Sequence, residues 1–182
     1  MLRLCSSSET RAKLLDSFGI EYTQVGVEFD EESINEENPK SFVYSVVQGK
    51  LKSAIANYDL DMPLLVADTV IEVDGKIIRK AKTKDDAKEL LLKQSGNEIS
   101  IITATALKKE GFLFLDISST KYLFSTFDMD DLNRYLDSGE WAGKAGACMV
   151  EGFCKKYIKE VVGLESTAMG LPVEKIIPWL EF

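Results

Sequence analysis

Two runs of strand-forming residues, "EISIITATAL" (98–107) and "FLFLDISSTKYLF" (112–124), are separated only by "KKEG". So short a connection lets a chain double back but not cross over, which makes this pair an antiparallel hairpin. A second hairpin is written in "VIEVDGKIIR", with Asp74-Gly75 in the two-residue turn. Around these hairpins strand and helix patterns alternate. Leu2–Ser6 and "EYTQV" read as strands, and "SETRAKLLDSFG" between them as a helix capped by Ser8 and stopped by Gly19. "FDEESINEENPK" is an acidic loop leading to Pro39, which opens a helix over roughly Lys40 to Ala56. "TKDDAKELLLKQSG" and "STFDMDDLNRYLDSG" are further capped helices. "GKAGACMVEG" is a Gly-rich loop or short strand, "YIKEVVG" a strand, and "LPVEKIIPWL" a short helix interrupted at Pro178. Alternation broken by hairpins predicts an α/β fold on a mixed sheet, not a purely parallel one. The 182 residues fit one domain over 1–182, or two small lobes, and show no repeat, linker or low-complexity segment.

The chain contains no His. That excludes a Ser-His-Asp triad, a Cys-His pair and a His-ligated zinc site, so any base is a carboxylate, Lys, Tyr or metal-bound water. With 22 Lys+Arg against 30 Asp+Glu, the net charge of -8 disfavours polymeric nucleic acid and anionic membranes. A small phosphorylated ligand needs only a few local cations and stays open. Cys5, Cys148 and Cys154 lack paired metal spacing and suggest free thiols. With no apolar run of membrane-span length and too short a one at the start for a signal peptide, the expected location is cytoplasmic.

Five positions could carry chemistry, and each also has a plain structural explanation. "SSSETR" turns a strand into a helix, and free N–H groups with Arg11 nearby suit an anion, or simply cap the helix. Lys50 shares a helical stripe with Val43, Val46, Val47 and Ala54, so its ammonium meets an anion or snorkels to water. Asp68 follows the apolar run "LLVA", where it ends a strand at a ligand-binding edge or forms a turn. Carried along the Asp74-Gly75 hairpin, straight register puts Lys80 opposite Thr69 and on the other face from Asp68; a bend or a long reach is needed to join the two. Glu31, in "FDEES", is the last candidate, although acidic loops are commonly just solvated.

Taken together, "LCSSSETRAKLL", "FDEES", "VVQGKLKSA", "VADTVIEVDGKIIRKA", "KQSG", "KAGACMVEG" and "VVGLESTAMGLP" resemble, in order and spacing, the Maf family of nucleotide pyrophosphatases. Some of that family were first described as septum-formation inhibitors. The resemblance covers nearly the whole chain. It implies a Maf/ITPase-like α/β fold, with a large mixed β-sheet flanked by helices and two lobes around a cleft, often in a homodimer. It implies cleavage of a nucleoside triphosphate to a monophosphate and pyrophosphate with a divalent metal, Mg²⁺ or Mn²⁺. By the same resemblance Ser6, Ser8 and Arg11 belong to a phosphate-binding motif, while Glu31, Lys50, Asp68 and Lys80 match the family's charged set. Asp68 and Glu31 would hold the metal, and Lys50, Lys80 and Arg11 would neutralise the triphosphate. Lys144, Glu151 and Gly152 fall in the later motif near the nucleotide.

The chain also departs from that pattern. Where the family commonly has Ser-Pro-Arg-Arg, this chain has Ser8-Glu9-Thr10-Arg11. One Arg is lost and an acid gained, a change worth about 1.5–3 kcal/mol of triphosphate binding if a charge-assisted contact goes with it. Lys-Pro becomes Lys80-Ala81. Many members have Gln where this chain has Glu151, and the branch acting on 7-methyl-GTP resembles it in having Glu. A carboxylate accepts from the N1–H and amino group of guanine, whereas Gln suits thymine or uracil. Three expectations follow: a 7-methyl-GTP pyrophosphatase, a dTTP/UTP pyrophosphatase, or a nucleotide-binding regulator of cell division with little catalysis.

Overall fold

The computed structural model describes residues 1–180. In chain order the elements are β1 (Leu2–Cys5), α1 (Glu9–Ser17), β2 (Tyr22–Val25), α2 (Pro39–Asn57), β3 (Leu64–Val73), β4 (Lys76–Ile78), α3 (Lys84–Gln94), β5 (Glu98–Lys109), β6 (Phe112–Phe124), α4 (Met129–Ser138), β7 (Ile158–Val162), α5 (Glu165–Ala168) and α6 (Val173–Ile176). The caps form where the side chains direct. Ser8 accepts from the Arg11 N–H, Asn38 caps α2 just before Pro39, and Thr83 with Asp86 closes a capping box on α3. Asp74 and Gly75 take positive φ in the β3–β4 turn, as a tight hairpin requires. Three short pieces escape the sequence reading, α5 and the 3₁₀ turns over Glu31–Ser33 and Phe153–Tyr157; all are too brief for helical periodicity to register.

The strands form one seven-stranded mixed sheet in the order β2-β1-β3-β5-β6-β7, with β4 also on β3. β1 runs parallel to β2 and β3, and every other pair is antiparallel. α2 lays Phe42, Val43, Val46, Val47, Leu51 and Ala54 on one face, against Val66, Val70, Ile102, Ala104 and Ala106. The other face carries two separate apolar clusters. One joins Leu65, Ala67 and Leu107 to α1 and α6; the other joins Ile71, Ile99 and Ile101 to α3 and α4. Between them lie buried hydroxyl residues: Thr103, Thr105, Ser118 and Thr120. None of the described helices is long and apolar enough to cross a membrane.

Asp68 does not end its strand. β3 runs on through it to Val73, and β5 pairs with β3 from Leu64 to Glu72 along one edge. The opposite edge is shared. β1 covers only Leu64 and Leu65, and β4 only Ile71 to Val73. Residues 66–70 therefore face an opening in the sheet, with Asp68 at its middle. β4 keeps the predicted register at the turn, Val73 opposite Lys76, but leaves β3 after Ile78. Lys80 pairs with Ala145 instead, and the Gly146 N–H donates to the Arg79 carbonyl. Lys80 is thus not opposite Thr69. The bend that a Lys80–Asp68 approach demands is this departure of the chain from β3.

Candidate active site

The opening in the sheet leads into a groove of about 760 Å³, lined by Ser6, Ser8, Thr10, Arg11, Glu31, Lys50, Lys80 and Lys144 among others. Asp68 lines the adjoining recess with Arg11, Lys50, Lys80, Lys144 and Glu151. Nine of the ten residues expected from the sequence therefore border one connected space. Gly152 does not. Its amide donates to the Met149 carbonyl, and a Cβ there would lie 2.7 Å from Met149 Sδ, so the glycine serves the packing of its turn.

Asp68 is 4% exposed and points to the α2 face, in line with Val66 and Val70. Lys50, on the inward stripe of α2, meets it there. Its Nζ lies 2.8 Å from Asp68 Oδ1 and 2.7 Å from Glu31 Oε1. The lysine on an apolar stripe thus satisfies a buried carboxylate. Glu31 reaches the ammonium from a short 3₁₀ turn capped by Asp30. Burial alone would raise the Glu31 pKa; the Lys50 charge and hydrogen bond, then Lys80 and Arg11, outweigh it and hold the carboxyl below its usual range. Gly49 brings the turn close. A Cβ on Gly49 would lie 2.1 Å from the Phe29 ring, so the ring that precedes Glu31 by two residues rests directly on the helix backbone.

Two carboxylate oxygens converging on one cationic centre form the donor set that Mg²⁺ or Mn²⁺ accepts, since these ions take few protein carboxylates and fill the remaining positions with water and phosphate. Among the described residues no group of three or more Cys, Asp or Glu side chains could hold a metal by itself. The three cysteines are buried free thiols. Cys148 and Cys154 stand with sulfurs 3.4 Å apart, and that contact followed by burial raises the Cys148 pKa, which leaves it a poor nucleophile.

Arg11 lies on the opposite face of β3 and is held on three sides. Nε donates to the Gly170 carbonyl at 2.8 Å, Nη1 to Ser6 Oγ at 3.0 Å and Nη2 to Thr69 Oγ1 at 3.2 Å. Burial pulls its pKa down while Asp68 and Glu31 pull it up, and a guanidinium so placed stays charged. Ser6 Oγ also accepts from the Ser8 N–H, which closes the turn ahead of α1.

At the far rim, Lys144 Nζ lies 3.1 Å from Thr10 Oγ1 and 3.4 Å from Glu151 Oε1, with both charged side chains one-quarter exposed. Their turn is strained and braced. Gly146 and Ala147 have φ of 55° and 57°, the Tyr135 hydroxyl donates to the Ala147 carbonyl, and Gln94 Nε2 donates to the Gly146 carbonyl. Sequence reasoning missed Gly49, Thr69, Thr103 and Gly170. Gly49 had a readable signal, a glycine inside a 19-residue helix, where it costs about 1 kcal/mol relative to Ala. Thr69 and Gly170 sit inside motif stretches, "VADTV" and "TAMGLP", but nothing local marks their partners.

Comparison with known proteins gives the family of the chain. Residues 1–181 match the family described as Maf-like protein. A protein of a Nitratiruptor species named nucleoside triphosphate pyrophosphatase is 53% identical over 178 residues, covering 97% of this chain and 96% of that one. Proteins of the same name from Helicobacter pylori and Campylobacter jejuni subsp. doylei are 39% identical (97% of this chain, 93% of that one) and 37% identical (99% and 100%). The match runs through every element that borders the groove, and the chain belongs to the Maf-like protein family.

Proposed function

We propose that this chain is a nucleoside triphosphate pyrophosphatase that hydrolyses its substrate to a nucleoside monophosphate and pyrophosphate. The observation that carries the reading is the Lys50 ammonium between Glu31 and Asp68, in a sheet opening that faces the Ser6–Arg11 turn across one groove. Glu31 and Asp68 would hold a divalent ion, which when bound polarises phosphate oxygens and makes water a better nucleophile. Lys50 fixes both carboxylates in place. Arg11 and the exposed Lys80 offset charge as it builds on the departing pyrophosphate. No step needs an imidazole, in keeping with a chain that has none. The working location would be cytoplasmic and the assembly a homodimer.

For the base we favour guanine, and 7-methylguanine above all. Lys144 and Glu151 present a donor beside an acceptor at the rim of the groove. That order matches O6 followed by N1–H and the amino group of guanine, and the carboxylate suits a cationic ring. Lys144 Nζ also lies 3.1 Å from the hydroxyl of Thr10, which ties this rim to the first turn of α1. What weighs against the regulator reading is that Glu31, Lys50, Asp68 and Lys80 are all kept around one space, since a binder has less need of two carboxylates converging on a metal. The test is pyrophosphate release from 7-methyl-GTP, GTP, dTTP, UTP and the remaining common triphosphates, with Mg²⁺ or Mn²⁺ and with EDTA. Release from one or two, lost with EDTA, is expected. Glu151→Gln should shift the kcat/KM ratio from guanine toward pyrimidine substrates by about tenfold, as one hydrogen-bonded base edge warrants. A folded protein that binds nucleotide but releases no pyrophosphate would favour the regulator.

A further inference from the structure

The aim of Arg11 depends on groups far from any substrate. A guanidinium has five N–H donors. Three are spent on Gly170, Ser6 and Thr69, which leaves one N–H on each terminal nitrogen among the described contacts. The Thr69 contact continues inward. Thr69 Oγ1 lies 2.9 Å from Thr103 Oγ1, and Thr103 Oγ1 lies 2.7 Å from the Thr167 carbonyl in α5.

The proton directions follow from counting. A hydroxyl has one hydrogen to give, and a carbonyl can only accept. Thr103 therefore donates to Thr167, Thr69 donates to Thr103, and the Thr69 lone pairs are left facing Arg11. The chain of bonds has one polarity, from guanidinium through two hydroxyls to a backbone carbonyl. Thr103 is fully buried in the band of hydroxyls between two apolar clusters, where an apolar residue would avoid the cost of dehydrating a polar group. The same segment grips Arg11 a second time through the Gly170 carbonyl. Gly170 has φ +100°, and a Cβ there would lie 3.1 Å from Thr69 Oγ1 and 3.3 Å from Arg11 Nε, so a side chain would press on both partners at once.

We propose that Thr69 and Thr103, anchored on the α5 segment, are positioning residues that turn the two free N–H groups of Arg11 toward a phosphate of the substrate. This rests on the reading of Arg11 as a phosphate ligand. The probe is inorganic tripolyphosphate with Mg²⁺, its affinity measured by calorimetry, with thermal melting to confirm folding. Thr103→Val and Thr69→Val should each weaken binding about tenfold, the scale of one misdirected charge-assisted hydrogen bond. The Ser variants, which keep the hydroxyl, should stay within about twofold of wild type. In an Arg11→Ala background the Val variants should add no further loss, because a relay that acts through Arg11 has nothing left to position. Wild-type affinity in the Val variants, or an undiminished loss in the Arg11→Ala background, overturns the relay. Wild-type affinity in Arg11→Ala itself overturns the phosphate-ligand reading, a separate signature, and takes the relay with it. Should Thr103→Val fail to fold, the half-buried Thr69→Val decides.

Discussion

Strand β3 places two polar residues side by side, Asp68 and Thr69, and its two faces handle them by different physics. On the α2 face a charge is buried, and it is answered by a charge: Lys50 sits within 2.8 Å and shares itself with Glu31. On the other face a hydroxyl is half-buried, and it is answered by one further hydroxyl, Thr103, that ends on a backbone carbonyl. The first arrangement concentrates charge at the opening of the sheet. The second carries none of its own and transmits direction to a charge on α1. An ion pair in a partly desolvated site is strong but costly to break from one side. A hydroxyl chain is weaker, and its value lies in geometry. The two faces thus divide the work between holding charge and aiming it.

The comparison can be broken first at Asp68. Asp68→Asn should lower kcat for pyrophosphate release on the order of 10²- to 10³-fold, the scale of removing one charged group from a preorganised electrostatic site. The fold should survive, because Lys50 retains Glu31 at 2.7 Å. Near wild-type turnover at a matched melting temperature would remove Asp68 from the chemistry. Next is Lys50→Met, which leaves a carboxylate of 6% side-chain exposure without its ammonium. A loss of about 3 kcal/mol in urea denaturation is expected, in the range for removing one partner of a buried ion pair. A loss below about 1 kcal/mol, the scale of an exposed pair, would mean that the site is wetter than its burial suggests.

The smallest effect sharpens the contrast on the other face. Thr167 and Thr103 are both buried threonines, yet among the described residues Thr167 Oγ1 has no hydrogen-bond partner while Thr103 Oγ1 has two. Thr167→Val should therefore leave stability unchanged or raise it slightly, within about 1 kcal/mol, since it removes an unpaired buried hydroxyl. Its tripolyphosphate affinity should match wild type, because the relay uses only the Thr167 carbonyl. A marked loss of affinity in Thr167→Val would show that packing around these threonines, and not hydroxyl direction, governs Arg11.

Much of the architecture is local and was readable. The two hairpins, the caps at Ser8 and Thr83, the glycines that end α1 and α4, and the break at Pro178 each depend on a few neighbouring residues whose backbone preferences act at short range. Charged residues in apolar patterns were readable as anomalies. Lys50 on its stripe and Asp68 in its strand each demanded a partner, since an unpaired charge does not stay buried. Resemblance grouped them with Glu31 and Lys80, but the route was misread at two points: β3 continues through Asp68, and β4 abandons its register after Ile78.

Sequence by itself thus determined the types of the longer elements and the mixed sheet, and marked Lys50 and Asp68 as charges that demand partners, because propensity, capping and desolvation cost are properties of residues and their near neighbours; Glu31 and Lys80 joined them only through the resemblance. Tertiary structure alone decided the opening in the sheet between β1 and β4, the approach of Phe29 onto Gly49, the meeting of Lys144 with Thr10 and Glu151, and the line from Arg11 through Thr69 and Thr103 to Thr167. Each joins segments from 7 to 134 residues apart in contacts a few ångströms long. No periodicity encodes such a distance; it is set by how strands pair and helices pack, and only the folded chain carries it.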